Sequence, residues 1–333
     1  IDTANAVLAA RTLAAVRRWD DSPVHTVIYT HGHVDHTGGI KVIDEEADAR
    51  GAARPRIVAH RDVRRRMERY KTTQGFNGIV QGQQFNDPGY IYPVGQRQPD
   101  EVYDDTLALT IGGERLELFH GRGETDDATF VWLPARRVLA SGDFVIWMFP
   151  NAGNPRKVQR YAAEWAATLR RMRALRPEVL IPGHGPVIFG AARAGQVLDD
   201  GATLLESLVG QTLALMNRGC TLDEVLHGVS APAGLLAKPY LRPKYDDPEF
   251  VVRAIWHLYG GWFDGNPAHL KPAPAPELAA ELAALAGGAE RLAERAAALA
   301  ESGRTRLAAH LAEFAAGAAP DDRAIQAMRA MVL

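Results

Sequence analysis

The sequence predicts a mixed α/β domain over residues 1–191 followed by an all-α domain over residues 192–333. Three observations carry this reading. Short apolar strand-like runs alternate with helix-like segments as far as about residue 190. Several of those strands end in glycine beside His, Asp or Glu. From about residue 192 the composition turns helical and increasingly Ala-rich.

A chain of 333 residues is long enough for about two domains. Its 47% hydrophobic and 23% charged content is that of a globular protein, and with a net charge of −2 nothing argues for nucleic acid or an anionic membrane as partner. No stretch approaches the roughly 20 apolar residues of a membrane span. The one cysteine, Cys220, has no partner for an internal disulfide and reads as a small hydrophobe. The chain starts at Ile1-Asp2-Thr3, without Met or a signal region, and reads as cut from a larger protein. The sequence therefore assigns no compartment.

Residues 4–18 read as a helix with Val7, Leu8, Leu13 and Val16 apolar, and Val24 to Tyr29 as a β-branched strand. Arg56 to Ala59 is a second strand, followed by a basic helix from Arg61 to Lys71. Residues 72–100, rich in Gly, Gln, Asn and Pro, read as a long functional or mobile loop. Residues 106–119 form a hairpin around Gly112-Gly113, and a second hairpin turns at Pro134-Ala135. Residues 156–175 read as an amphipathic helix, with Val158, Tyr161, Trp165, Leu169, Met172 and Leu175 on one stripe. Val179 to Ile181 is the last strand. Farther on, Thr221 and Glu224 make a capping box, and residues 277–332 divide into four helical segments at Gly287-Gly288, Gly303 and Pro320.

The run His31-Gly32-His33-Val34-Asp35-His36 carries the chemistry. Neutral imidazoles and carboxylates are the usual ligands of zinc and similar divalent ions. In an extended segment residues 31 and 33 point the same way and can share one ion. Asp35 and His36 follow at the turn and can reach a second. Two ions need further ligands from other strand ends. Glu124 in Gly121-Arg122-Gly123-Glu124, Asp143 in Ser141-Gly142-Asp143 and His184 in Pro182-Gly183-His184 each lie beside an apolar strand.

The run from His31 to His36, followed by Ser-Gly-Asp and then Pro-Gly-His-Gly, resembles the metallo-β-lactamase superfamily. The resemblance implies an αββα sandwich with a dinuclear site at one edge of its two sheets. In that family a ligand, normally His, precedes the bridging Asp by about 19 residues. Here that position is Glu124, as in the alkyl sulfatase branch. The aromatic and glycine-rich segment from Arg253 to Pro272 resembles the alkyl sulfatase dimerisation domain, which implies a homodimer. Parts of such a protein, namely the first strands of the hydrolase domain and a C-terminal sterol-carrier-like domain, are expected to lie outside this chain.

The resemblance implies two zinc ions. His31, His33 and Glu124 would hold one, Asp35, His36 and His184 the other, with Asp143 bridging. His120, four residues before Glu124, is the rival ligand. Asp35 and Asp143 would be catalytic in holding the attacking water. An Arg 13 residues after the bridging acid contacts the sulfate in that branch, which places Arg156 on the substrate. Arg156 is also expected to open a helix whose N-terminal amides favour an anion. Asn151, Asn154 and Tyr161 are further substrate candidates, and Tyr90 and Tyr92 are expected at the entrance. Asp126 and Asp127 read as turn or supporting groups. The expected activity is hydrolysis of a small-molecule alkyl sulfate ester to alcohol and sulfate. The alternative is another hydrolase on the same scaffold, acting on a lactone, β-lactam or phosphoester.

Overall fold

The computed structural model describes residues 1–333. The first part of the chain runs α1 (Ala9–Arg17), β1 (Thr26–Ile28), α2 (Val34–Thr37), α3 (Ile40–Ala49), β2 (Arg56–His60), α4 (Asp62–Thr72) and α5 (Gln74–Phe85). The strands β3 (Glu101–Tyr103), β4 (Thr106–Ile111), β5 (Glu114–His120), β6 (Thr129–Leu133) and β7 (Val138–Gly142) follow. Next come α6 (Ala162–Ala174), β8 (Val179–Pro182) and β9 (Ile188–Phe189). The helices α7 (Ala191–Met216), α8 (Leu222–Gly228), α9 (Ala233–Leu236) and α10 (Pro248–Gly260) precede α11 (Ala275–Ala286), α12 (Ala289–Glu301), α13 (Thr305–Ala318) and α14 (Arg323–Val332).

The strands form a three-stranded parallel sheet, β1-β2-β3, and a six-stranded mixed sheet, β4-β5-β6-β7-β8-β9. Strand periodicity explains the layers. Val27 and Tyr29 point with Ile57 and Ala59 toward Ile40, Val63 and Met67 on α3 and α4. Ile28 and Val58, on the opposite face, meet Leu109, Leu118, Val131 and Ala140 of the larger sheet. The far face of that sheet presents Phe130, Trp132, Leu139 and Leu180 to Trp165 and Leu169 of α6 and to Leu198 and Leu205 of α7. Helix, sheet, sheet and helix therefore stack as an αββα sandwich, as expected.

Two expectations change. Residues 74–85 are helical, although they were expected to be loop. Two glycines of this helix are used for packing: a Cβ on Gly82 would lie 2.5 Å from the Asp87 carbonyl, and one on Gly78 would lie 3.2 Å from the Tyr90 carbonyl, so the returning segment can close against α5. The helix after the second hairpin begins at Ala162 instead of near residue 156, so Arg156 does not sit at a helix N-terminus. The segment before it is held open by the buried Arg160, whose partners lie in another loop. The composition change near 192 coincides with the start of α7, and Leu198, Ala202 and Leu205 of that helix share a core with Trp165. The compact units are Ile1–Trp262 and Phe263–Leu333.

In the second unit, α11 to α14 pack around Ala283, Leu292, Ala296, Ala312, Ala315, Ile325 and Met328. Its breaks at Gly287-Gly288, Gly303 and Pro320 agree with the sequence. The capping box at Thr221 and Glu224 is formed. No helix is long and apolar enough to cross a membrane. On α1 only Ala9 is buried, while Val7, Leu8 and Val16 are exposed. The apolar stripe read there therefore has no core behind it in this unit.

Trp165 is fully buried, and its indole N–H donates to the Phe144 carbonyl at 3.1 Å. It therefore pins the backbone directly after Asp143. Replacing Trp165 by Ala is expected to cost about 3–5 kcal/mol through the cavity and lost burial. Urea unfolding followed by circular dichroism measures this, and a loss below about 1 kcal/mol would contradict the packing described.

Candidate metal centre

β1 ends at Ile28 between the layers, so the segment after it emerges at the sheet edge carrying His31 and His33. Asp35 and His36 lie on the one-turn helix α2, which His33 precedes as N-cap. Glu124 is in the loop between β5 and β6. Asp143 follows β7, and His184 follows β8. β7 and β8 are parallel neighbours, which sets their C-terminal ends side by side. Gly183 is required there: a Cβ would lie 2.0 Å from Asp143 Oδ1.

All seven residues expected as ligands converge. Ligand atoms of His31, His33, Glu124 and Asp143 lie within 4.8 Å of one another, as do those of Asp35, His36 and His184. Asp143 joins the two groups, with Oδ2 3.8 Å from His31 Nε2, and Oδ1 3.3 Å from His36 Nε2. His184 Nε2 is 3.3 Å from Asp35 and 3.5 Å from Asp143. His120 is not among them. Its ring stacks on His60 at 3.7 Å, and its Nδ1 faces the Ala128 carbonyl at 3.0 Å.

The hydrogen bonds orient the imidazoles. Thr30 Oγ1 donates to Asp2 at 2.9 Å, so it accepts from His31 Nδ1 at 3.1 Å and leaves His31 Nε2 as a lone pair. His36 Nδ1 donates to Asp2 at 2.8 Å, leaving Nε2 directed at the cluster. His31 Nε2 and His33 Nδ1 approach to 2.8 Å. Asp2 thus steers two of the ligands, and it does so from a left-handed backbone, φ 57°, which is uncommon for a residue other than glycine. Nothing in the sequence marks it except a carboxylate near the start.

Other supports were not singled out either. Arg160 is buried with its guanidinium 2.8 Å from Glu124 Oε1, and it also donates to the Glu124 carbonyl. Arg66 is buried against Asp126 and Asp127, and Asp127 accepts the Gly32 N–H at 3.0 Å. A long charged side chain far from the ligands in sequence reads as solvated, so neither arginine could be selected without its partner.

Charge follows from burial and proximity. Burial, then repulsion from His36, pushes His31 down to about 4, so it is neutral at pH 7. Burial pushes Glu124 up to about 7 against the pull of Arg160. For Asp143 burial works the other way, but His36, His184 and His31 hold it well below the usual carboxylate range. Burial opposes charge on His36, yet Asp143 and Asp2 hold it well above its ordinary value. Hydrogen bonds to Asp143 and Asp35 push His184 up to about 10.

These residues fit a divalent-ion site. Glu124 Oε2 is buried with no hydrogen-bond partner, and His36 Nε2 and Asp143 Oδ1 meet only in ion-pair contact at 3.3 Å, so a cation would complete all three. The donor set, imidazole and carboxylate, suits zinc or a related first-row ion.

Beside the cluster lies a cavity of about 870 Å³. Phe76 and Phe85 of α5, Ile146, Met148 and Val158 give it an apolar wall, and Arg69, Arg156, Lys157 and Arg160 give it positive charge. Tyr90 and Tyr92 line it, as expected, and so does Tyr245, which was not anticipated. Of the substrate candidates, Arg156 and Asn151 reach the cavity. Asn154 and Tyr161 do not line it. The Asn154 side chain accepts the Arg156 N–H at 3.0 Å, and the Tyr161 ring lies under Arg122. Asn151 donates to Glu124 Oε1, and Arg156 donates to Gln83 at 2.9 Å.

Comparison with known proteins bears on this geometry. The metallo-beta-lactamase superfamily model matches residues 1–184, and the alkyl sulfatase dimerisation model matches residues 221–333. The linear primary-alkylsulfatase of Pseudomonas sp. (strain ATCC 19151) is 29% identical over 350 residues, covering 99% of this chain and 66% of that protein. The (R)-specific secondary-alkylsulfatase of Pseudomonas sp. is 30% identical, covering 92% of this chain and 50% of that protein. The solved structure of the stereoselective inverting sec-alkylsulfatase Pisa1 from Pseudomonas sp. superposes with a TM-score of 0.86 at 26% identity. That match covers 99% of this chain and 56% of the other. The chain thus spans about half to two thirds of the length of these relatives.

The pKa directions give a pH dependence. In the metal-free protein His184 is protonated at pH 7. A raised imidazole pKa stabilises the fold fully below about 6.5, and that contribution is lost as pH rises through about 10. An entering ion must displace this proton. Zinc binding at pH 7 is therefore expected to release protons and to weaken as pH falls. Calorimetry in buffers of different ionisation enthalpy checks this; heats independent of buffer would contradict it.

Proposed function

Because the chain belongs to the metallo-beta-lactamase superfamily, we propose that it is a dinuclear-zinc hydrolase that cleaves alkyl sulfate esters to an alcohol and inorganic sulfate. One observation carries the choice of ester: the cavity beside the ligand cluster joins an apolar wall to a cationic one. An alkyl sulfate has the same two parts, a hydrocarbon chain and a fixed anion. The alkylsulfatase relatives support the same reading.

His31, His33 and Glu124 would hold one ion, and Asp35, His36 and His184 the other, with Asp143 between them. Such ions supply Lewis acidity and lower the pKa of water toward neutral. The protein's own contribution is orientation and charge. Arg156 offers a planar fork to the sulfate oxygens, held in place by Gln83 and the Val80 carbonyl of α5. Lys157 adds charge from the same segment, and burial lowers its pKa. Phe76, Phe85, Ile146 and Met148 exclude water from the alkyl chain. Asp35 and Asp143 are the carboxylates able to accept a hydrogen bond from the attacking water.

The dimerisation match over residues 221–333 supports a homodimer. Tyr259, Trp262 and Phe263 are exposed and suited to an interface, whereas Val251, Val252 and Ile255 on α10 are core.

Zinc-loaded protein is expected to release sulfate from alkyl sulfates, and an Asp143→Ala variant is expected to fall to background. Ion-chromatographic detection of sulfate across primary and secondary esters checks this. If protein holding two ions releases no sulfate but opens a lactone, β-lactam or phosphoester, the other hydrolase reading takes its place.

A further inference from the structure

Glu124 stands where an imidazole is usual, and a carboxylate differs from an imidazole in a way that matters to an ion. An oriented imidazole offers one lone pair, whereas a carboxylate offers two oxygens and can bind through either or both. The structure divides the two oxygens of Glu124. Oε1 accepts from Asn151 Nδ2 and lies 2.8 Å from the Arg160 guanidinium. Oε2 is buried, has no hydrogen-bond partner, and lies 3.9 Å from His33 Nδ1.

Arg160 is well placed to enforce this division. Its side chain is 2% exposed, and the same nitrogen, Nη1, reaches both Glu124 Oε1 and the Glu124 backbone carbonyl. One guanidinium therefore fixes the backbone and the carboxylate of a single residue. Its position is set in turn by the loop between Asn151 and α6. There the Tyr161 N–H donates to the Gly123 carbonyl at 3.0 Å, beside Glu124. No other cation is paired with this carboxylate.

We propose that Arg160 is a positioning residue that occupies Oε1 and makes Glu124 a single-oxygen ligand, so that a carboxylate does the work of an imidazole at this site. Asn151 shares the task from the other side of Oε1. The inference rests on reading His31, His33 and Glu124 as one ion's ligands, but it does not depend on which ester is cleaved.

The test uses the full chain loaded with cobalt in place of zinc, with no substrate present. Its readouts are metal per chain after dialysis against a competing chelator and the visible absorption spectrum, whose intensity falls as coordination number rises. Folding of each variant is checked by circular dichroism. In R160M, one of the two ions is expected to bind at least about tenfold more weakly, with weaker visible bands as Oε1 becomes free to join. R160K keeps the charge, but its ammonium ends one bond short of the position of Nη1, which makes both contacts to Glu124, so only partial recovery is expected. Should R160M not fold, R160K carries the test alone, with a spectrum altered in the same direction. If the folded variants hold both ions at least as tightly as the parent and with the parent's spectrum, the proposal is overturned while the metal reading stands. A parent chain that binds no divalent ion overturns both.

Discussion

The structure turns on one electrostatic problem. Three carboxylates, Asp35, Asp143 and Glu124, are brought together at the edge of two sheets, and two of them are almost fully buried. Carboxylates in a low-dielectric pocket repel one another and lose their hydration. Without an ion the molecule meets this partly with its own protons. His36 and His184 hold theirs against Asp143 and Asp35, and burial raises Glu124 toward neutrality. A site that binds protons in this manner is also prepared for divalent ions, since the same lone pairs serve both.

Around that cluster the protein has arranged one support for each difficult group. Asp2 fixes the tautomers of His31, through Thr30, and of His36. Asp127 ties the backbone between His31 and His33 to Arg66. Trp165 pins the chain after Asp143, and Gly183 lets that carboxylate lie against the His184 loop. Arg160 holds Glu124. These supports come from α4, α6, the loop before α6 and the first residues of the chain. The αββα packing therefore bears on the chemistry, because the layers bring all of them to one edge.

The cavity extends the same economy of position. Arg156 and Lys157 lie 13 and 14 residues after Asp143, so the segment that follows this aspartate also brings cations to the wall. The apolar wall is shared between Ile146, Met148 and Val158 of that same segment and Phe76 and Phe85 of α5, a glycine-rich helix in a stretch whose composition suggests a loop. The Gly, Gln, Asn and Pro content of residues 72–100 suggests a loop because local propensity disfavours glycine in helices, and Gly82 is one of those glycines. Here the missing side chain makes room for the Asp87 carbonyl, a tertiary reason that local propensity does not contain. The start of α6 was misread for a related cause. Val158 continued an apolar stripe, yet it is exposed, and the buried Arg160 keeps the segment out of the helix.

Local pattern in the sequence carried the alternation of strands and helices and the candidate His, Asp and Glu residues; the layered fold and the grouping of seven metal-site residues came from family resemblance, and the structure brings those seven together. Strand periodicity and glycine-flanked His, Asp and Glu at strand ends are local patterns, and metal ligands are confined to a few residue types. The preference for Glu124 over His120 was also legible, from chain spacing together with family resemblance, and Glu124 is the one of the two that joins the converging residues. The tertiary structure alone decided the partners. Asp2, Arg66 and Arg160 are ordinary charged residues until the fold buries each beside a group distant in sequence, and only that pairing gives them a role. It also removed Asn154 and Tyr161 from the cavity wall and ran the first compact unit on to Trp262. The physical reason is the same throughout. Ligand chemistry is written in residue type, whereas burial and the direction of a hydrogen bond are properties of the packed chain.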